Sequence, residues 1–126
     1  MRSRVIGVFL LVGLFSVATF AKTGANKHWS MVNFFEPVWV TDRVVMGPVL
    51  IVHDDLKMAR GEPCTTFYRF VPGKGAQEEL VSFHCRPASR EVVEQTTFTV
   101  ATVNGCKRLI DYQIAGDAEV HGVPDK

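Results

Sequence analysis

Short runs of β-branched and aromatic residues alternate with Gly, Pro and Asp over most of the chain. Such runs are typical of strands, and no long 3.6-residue periodicity competes with them. One short stretch, 54–60, predicts a single turn of helix. The pattern therefore predicts an all-β fold, a small antiparallel β-sandwich or barrel of about 6–8 short strands. The runs are 38–40, 44–45, 49–52, 65–70, 80–85, 96–103 and 109–114.

The N-terminus has the pattern of a secretory signal peptide. Arg2 and Arg4 precede an uncharged, mostly apolar run over 5–20, and small residues suit cleavage after Ala18 or after Ala21. We predict cleavage after Ala21, which makes the protein secreted or periplasmic and leaves no stable membrane span. The alternative is an uncleaved membrane anchor.

The remainder of the chain has the length of one domain. We predict a signal peptide over 1–21, a flexible lead-in over 22–28, a single β-domain over 29–115 and an irregular C-terminal tail over 116–126. Losing the two N-terminal arginines leaves 12 basic and 13 acidic residues, a formal charge of −1. Neither sign forms a stripe, so we expect no nucleic-acid partner.

A first hairpin is predicted around the Pro-Gly-Lys-Gly turn at 72–75. The predicted register places most apolar side chains on one face and leaves Phe67 and Leu80 as apolar exceptions on the other. In that register Cys64 lies directly opposite Cys85. The opposed pairs are Cys64 with Cys85, Thr66 with Phe83, Tyr68 with Val81 and Phe70 with Glu79.

A second hairpin is predicted at Asn104-Gly105, because a type I′ turn needs positive φ at both central positions. This turn pairs Val103 with Cys106. Further along the strands the apolar residues lie on both faces. Burial on both faces or a β-bulge that shifts the phase would explain this.

Three cysteines follow the predicted signal peptide. Because an export compartment favours disulfides, two of them can pair, and the third is then left without an intramolecular partner. The register predicts a Cys64–Cys85 disulfide that closes a loop worth about 3 kcal/mol in the chain-entropy model. The alternative is a pair of buried free thiols. Cys106, beside the hairpin tip, is predicted to be a free thiol or to form an intermolecular disulfide.

Metal ligation is a second possibility, because imidazole and thiolate suit copper and zinc. The candidate ligands are His53, His84 and His121, with Cys85 and Cys106, but their spacing fits no ligand motif. His84 is expected to point away from Cys85, since neighbours along a strand face opposite sides.

Other chemistry has little support. Gly-x-Ser-x-Gly and nucleotide-binding glycine motifs do not occur in the sequence, so we predict no catalytic residues and no cofactor. Asp54 and Asp55 are expected to start a turn or cap a helix. Trp29 and Trp39 are either core residues or a ligand surface.

Two hypotheses follow. The leading one is an exported β-domain with a binding or structural role, as a homo-oligomer or as a component of the cell envelope. The alternative is a metal-binding or redox protein that uses His53, His84 and His121 with Cys85 and Cys106. A small hydrolase or isomerase is a third option, favoured if His53 or His121 meets an acidic side chain.

Overall fold

A computed structural model describes residues 8–10, 21–23 and 27–125. These residues are nearly all β, which confirms the predicted class. The helical turn predicted over 54–60 is α1, Asp55–Ala59. The strands are β1 Val8–Leu10, β2 Ala21–Thr23, β3 Lys27–Val40, β4 Arg43–Asp54, β5 Thr65–Val71, β6 Gly75–Phe83, β7 Arg86–Ser89, β8 Thr97–Val103, β9 Cys106–Gln113 and β10 Glu119–Gly122.

The strands belong to one sheet that curls into a half-barrel. The order along its main path is β1-β8-β9-β3-β4-β5-β6, and β10 pairs with both β7 and β9. Neighbouring strands are antiparallel except at one parallel bridge, where Trp39 of β3 meets Arg108 of β9. A single curled sheet thus takes the place of the two sheets that a sandwich would have.

β3 and β4 form a long hairpin that joins several of the predicted short runs. The Gly47-Pro48 break stays inside β4, where Gly47 has φ +87° and lies opposite Phe34. The register shifts between Phe34 and Val38, which marks a bulge. The extra residues of the bulge lie in β3, and β4 continues through Gly47-Pro48, so the predicted runs 44–45 and 49–52 become one strand.

The predicted register of the first hairpin is wrong. Phe67 of β5 lies opposite Val81 of β6, and Thr65 lies opposite Phe83. Phe67 is therefore a fully buried core residue, whereas Tyr68 is half-buried. The register shifts on both sides of Tyr68, and these irregularities broke the alternation on which the prediction rested.

The second hairpin agrees with its prediction near the turn. Asn104 and Gly105 have φ of 52° and 79°, and Val103 pairs with Cys106. The register then shifts between Thr99 and Val100, which confirms the bulge alternative. Ile110 is the extra residue, and it is 37 % exposed.

The hydrophobic core lies inside the curl of the sheet. Phe34 of β3 and Phe98 of β8 meet edge to face, with ring centroids 5.1 Å apart. Such aromatic pairs stabilise a core beyond the area they bury. The other core residues come from every long strand and include Val49, Ile51, Phe67, Val81, Phe83, Val100, Leu109, Tyr112 and Ile114.

The irregular C-terminal tail predicted over 116–126 is wrong for its central part. Val120 and His121 of β10 are buried, and β10 pairs with β7 and β9. Most of the predicted signal peptide, 1–21, lies outside the described residues. In the described part of the chain no helix is long and apolar enough to cross a membrane.

The positive φ of Gly105 in the turn of the second hairpin can be tested by substitution. Gly105→Ala places a Cβ at φ +79°, and we expect it to destabilise the protein by about 1–2 kcal/mol. Urea denaturation measures this change. Asn104→Gly is the control, because Gly adopts positive φ freely and should leave the stability nearly unchanged. Equal stability of Gly105→Ala and the parent protein would contradict the assigned turn.

Candidate functional site

Strand alternation buries His53. The side chains of Val49, Ile51 and His53 share the inward face of β4, and each is 0 % exposed. In the register of the sheet His53 lies between His28 of β3 and Thr65 of β5. The buried face of β4 therefore ends in a polar side chain, the imidazole ring of His53.

Two cysteines lie beside this ring. Cys64 precedes β5 and Cys85 lies between β6 and β7, and both are buried. Their sulfurs are 2.6 Å apart, and the Cys85 backbone N–H donates to Cys64 Sγ at 3.1 Å. One ligand atom from each of His53, Cys64 and Cys85 lies within 4.8 Å of the other two.

β10 brings a second buried imidazole to the same place. His121 lies opposite Tyr112 of β9, and its ring centroid is 4.1 Å from that of His53. His121 Nδ1 is 3.7 Å from Cys85 Sγ. We name His53, Cys64, Cys85 and His121 the inner cluster.

A more exposed group of polar side chains borders the inner cluster. Asp55 Oδ1 lies 3.2 Å from His53 Nδ1, and Asp55 Oδ2 lies 3.2 Å from His28 Nε2. Asp117 Oδ2 lies 3.3 Å from His121 Nε2 and 3.8 Å from His28 Nδ1. We name His28, Asp55 and Asp117 the outer group.

The buried imidazole ring of His53 lacks hydrogen bonds within the described part of the chain. Neither of its ring nitrogens makes a hydrogen bond to any residue that the structure describes. The contact with Asp55 therefore has the distance of an ion pair without the direction of a hydrogen bond. Burial, and then the nearby His121, lower the pKa of His53 from 6.5 to about 4. The ring is neutral at pH 7, the form that ligates metals.

The thiol and phenol of the site are also held neutral. Burial, and then the contact with Cys64, raise the pKa of Cys85 to about 12. Burial raises the pKa of Tyr112 well above its ordinary value, and its hydroxyl is hydrogen-bonded to Thr65. Unlike His53, Tyr112 therefore has a partner for its polar atom.

The donor atoms of the inner cluster suit a thiophilic transition metal. Zinc sites combine Zn–S bonds of ~2.3 Å with Zn–N bonds of ~2.0–2.1 Å, so a tetrahedral ion holds sulfur and nitrogen about 3.6 Å apart. The 3.7 Å between Cys85 Sγ and His121 Nδ1 fits this value. The same geometry holds two sulfurs about 3.8 Å apart, so Cys64 and Cys85 must separate by about 1 Å to share an ion.

The structure brings together only some of the predicted metal ligands. His53, His121 and Cys85 come together, whereas His84 and Cys106 are exposed and lie outside the inner cluster. His84 is exposed whereas the adjacent Cys85 is buried, and both residues lie between β6 and β7 rather than within a strand.

Four residues of the site were not among the predicted metal ligands. Cys64 was predicted to form a disulfide or to be a buried free thiol, and His28 lay in the predicted lead-in. Asp55 was expected to start a turn or cap a helix, and Asp117 had no predicted role. His53 follows Val49 and Ile51 at every second position of β4, and this alternation was a signal for its burial. β10, which carries His121, was not predicted as a strand.

The predicted aromatic candidates, Trp29 and Trp39, are both half-buried. Of the two phenylalanines between them, Phe34 is buried and Phe35 is 62 % exposed. Phe34 therefore belongs to the core of the half-barrel, and the two tryptophans do not join the inner cluster.

Fold and site together define a small β half-barrel with a buried imidazole–thiol cluster. No protein-family model, curated protein or solved structure matches the chain. The chemistry of the site is therefore inferred from its own geometry.

The lowered pKa of His53 generates a test of pH dependence. Below pH 6.5 the unfolded chain gains a proton at His53, whereas the folded chain gains it only near pH 4. In a chelator-containing buffer this residue should therefore cost about 2–3 kcal/mol of stability as the pH falls across that window. His53→Leu should remove this part of the pH dependence. Urea denaturation at several pH values gives the difference between the two proteins, and parallel stability curves would contradict the assignment.

Proposed function

We propose that this chain is an exported β-domain that binds one thiophilic transition-metal ion, Zn²⁺ or Cu⁺. The ligands are His53, Cys64 and Cys85, with His121 as the fourth. One observation carries the proposal, namely that the fully buried ring of His53 has no hydrogen bond at either nitrogen and lies beside two sulfurs.

Energetics favour a ligand role for this ring. A buried polar atom without a partner costs about 1–3 kcal/mol, so native structures rarely keep one without reason. A metal–nitrogen bond would satisfy His53 at the centre of the cluster. Thiolate and imidazole are the donors that zinc and copper(I) prefer over calcium or magnesium.

The charges of the inner cluster also balance around such an ion. Two thiolates and two neutral imidazoles would neutralise Zn²⁺ inside the core. Without an ion the raised pKa of Cys85 keeps that residue a thiol. Metal binding therefore releases protons from the cysteines, as thiolate ligation requires.

The predicted Cys64–Cys85 disulfide is not formed in the structure. Cys64 and Cys85 are free thiols 2.6 Å apart, a distance longer than a disulfide bond. We propose that the reduced pair binds the ion. Oxidation would join the two sulfurs, with loss of two electrons and two protons, and would remove both thiolate ligands.

Metal binding is favoured over catalysis by the depth of the site. His53 and His121 each meet an acidic side chain, the arrangement expected of the hydrolase option. Both imidazoles, however, are 0 % exposed, so a substrate larger than an ion or water has no access to them. A structural or binding role in the envelope, as a homo-oligomer or with another component, is compatible with a bound ion.

Export is supported by the N-terminal pattern of the sequence. Arg2 and Arg4, the apolar run and the small residues before Lys22 favour a secreted or periplasmic location. N-terminal sequencing of the purified protein tests it, and a start at Lys22 is the expected result.

Metal titration of the reduced protein tests the proposed function. One Zn²⁺ or Cu⁺ should bind per chain, measured by isothermal calorimetry and elemental analysis. His53→Ala should weaken binding by more than the ~10–100-fold that loss of an outer partner costs.

His84→Ala and Cys106→Ser are the matched controls, because both residues are exposed and outside the inner cluster. They should bind the ion as the parent protein does. No binding by the parent protein, or an equal loss in His84→Ala, would sink the proposal.

Oxidation with hydrogen peroxide, a reagent little larger than water, tests the role of the cysteine pair. One peroxide molecule is reduced to two water molecules as the two thiols form the disulfide. We expect peptide mapping to locate a Cys64–Cys85 bond, metal binding to disappear, and a reductant to restore it. The experiment is done on Cys106→Ser to exclude intermolecular bonds. Metal binding that survives this disulfide would show that the sulfurs are not ligands.

A further inference from the structure

The ligands of the inner cluster are cut off from solvent. His53 and His121 are 0 % exposed, and Cys64 and Cys85 are 3 % and 8 % exposed. An ion arriving from solution must therefore pass other side chains before it meets a sulfur.

The outer group is more exposed and contacts the inner cluster on two sides. The side chains of Asp55, His28 and Asp117 are 39 %, 17 % and 12 % exposed. Asp55 contacts His53, Asp117 contacts His121, and the ring of His28 lies between the two carboxylates. Exposure thus falls stepwise from Asp55 to the buried imidazoles.

Unpartnered nitrogens point to a ligand at this position. His53 Nδ1, on a fully buried side chain, lies 3.2 Å from Asp55 Oδ1 without a hydrogen bond. His28 Nδ1 is buried and also makes no hydrogen bond to the described residues. One ligand atom from each of His28, His53 and Asp55 lies within 4.8 Å of the other two.

Local structure leaves the Asp55 carboxylate available. The preceding Asp54 caps α1, and its Oδ1 accepts from the backbone N–H groups of Leu56 and Lys57. The neighbouring aspartates therefore have different roles, since Asp54 holds the helix and Asp55 faces the two histidines.

We propose that His28 and Asp55, together with His53, form a second metal-binding set, where an ion from solution binds first and from which it passes to Cys64 and Cys85. The inference rests on the proposed function. Thiolates bind a thiophilic ion more tightly than two imidazoles and a carboxylate do, so the ion leaves this set for the sulfurs. The negative charge of Asp55 and Asp117 attracts the cation to this side of the molecule.

His53 belongs to both groups of ligands, and this gives a route for the transfer. Its Nδ1 faces Asp55, and the same ring belongs to the inner cluster with the two cysteines. An ion can therefore exchange one ligand at a time, with two cysteine protons released to solvent as the thiolates form.

Stopped-flow loading tests the transfer path on the reduced protein, with Co²⁺ as the probe because thiolate ligation gives it a charge-transfer absorption band. Asp55→Asn and His28→Gln should each slow the appearance of this band at least tenfold. The final amplitude should equal that of the parent protein, and the equilibrium affinity should fall by a smaller factor than the loading rate. Asp117 is left unchanged because its Oδ1 accepts from the Glu119 backbone N–H.

Glu62→Gln and His84→Gln are the matched controls. They remove an exposed carboxylate near α1 and an exposed imidazole outside both sets, and they should load at the parental rate. Unchanged rates in Asp55→Asn and His28→Gln would overturn the path. Affinity that falls as much as the rate would overturn it too, because these residues would then be equilibrium ligands. Failure of the parent protein to bind Co²⁺ or Zn²⁺ would instead contradict the proposed function.

Discussion

The ring of His53 is the polar group around which the rest of the site is arranged. Its backbone position is fixed by pairing to β3 and β5, and the alternation that buries Val49 and Ile51 buries it as well. Burial without hydrogen bonds is costly, so this position is unfavourable unless the ring has another partner. Two thiols and a second imidazole lie where that partner would bind.

The curl of the sheet makes this arrangement possible. β10 pairs with β7 and β9, and this pairing brings His121 over the cysteines. The inner cluster therefore draws its side chains from four segments between residues 53 and 121. Donors of different softness lie at different depths, with sulfur inside and carboxylate towards solvent, and in the proposed path this arrangement would separate capture of an ion from its retention.

Local patterns in the sequence predicted at least part of each longer strand, β3–β6, β8 and β9, together with the Asn104-Gly105 turn and the short helix. They failed where geometry departs from regular alternation, as at the irregularities beside Tyr68. The expected proximity of Cys64 and Cys85 was right, but the reason given for it was wrong. The two residues lie just beyond the ends of β5 and β6 and are not an opposed pair within the strands. His121 was only one of several candidate histidines, since the pairing of β10 is non-local and no local pattern encodes it.

X-ray absorption spectroscopy of the reduced, zinc-loaded protein identifies the atoms bound to the metal and therefore tests whether the cysteine pair ligates it. We expect a four-coordinate ion with sulfur scatterers at ~2.3 Å and nitrogen scatterers at ~2.0–2.1 Å. A first shell of oxygen and nitrogen alone would contradict it, since the ion would then lie outside the cysteine pair.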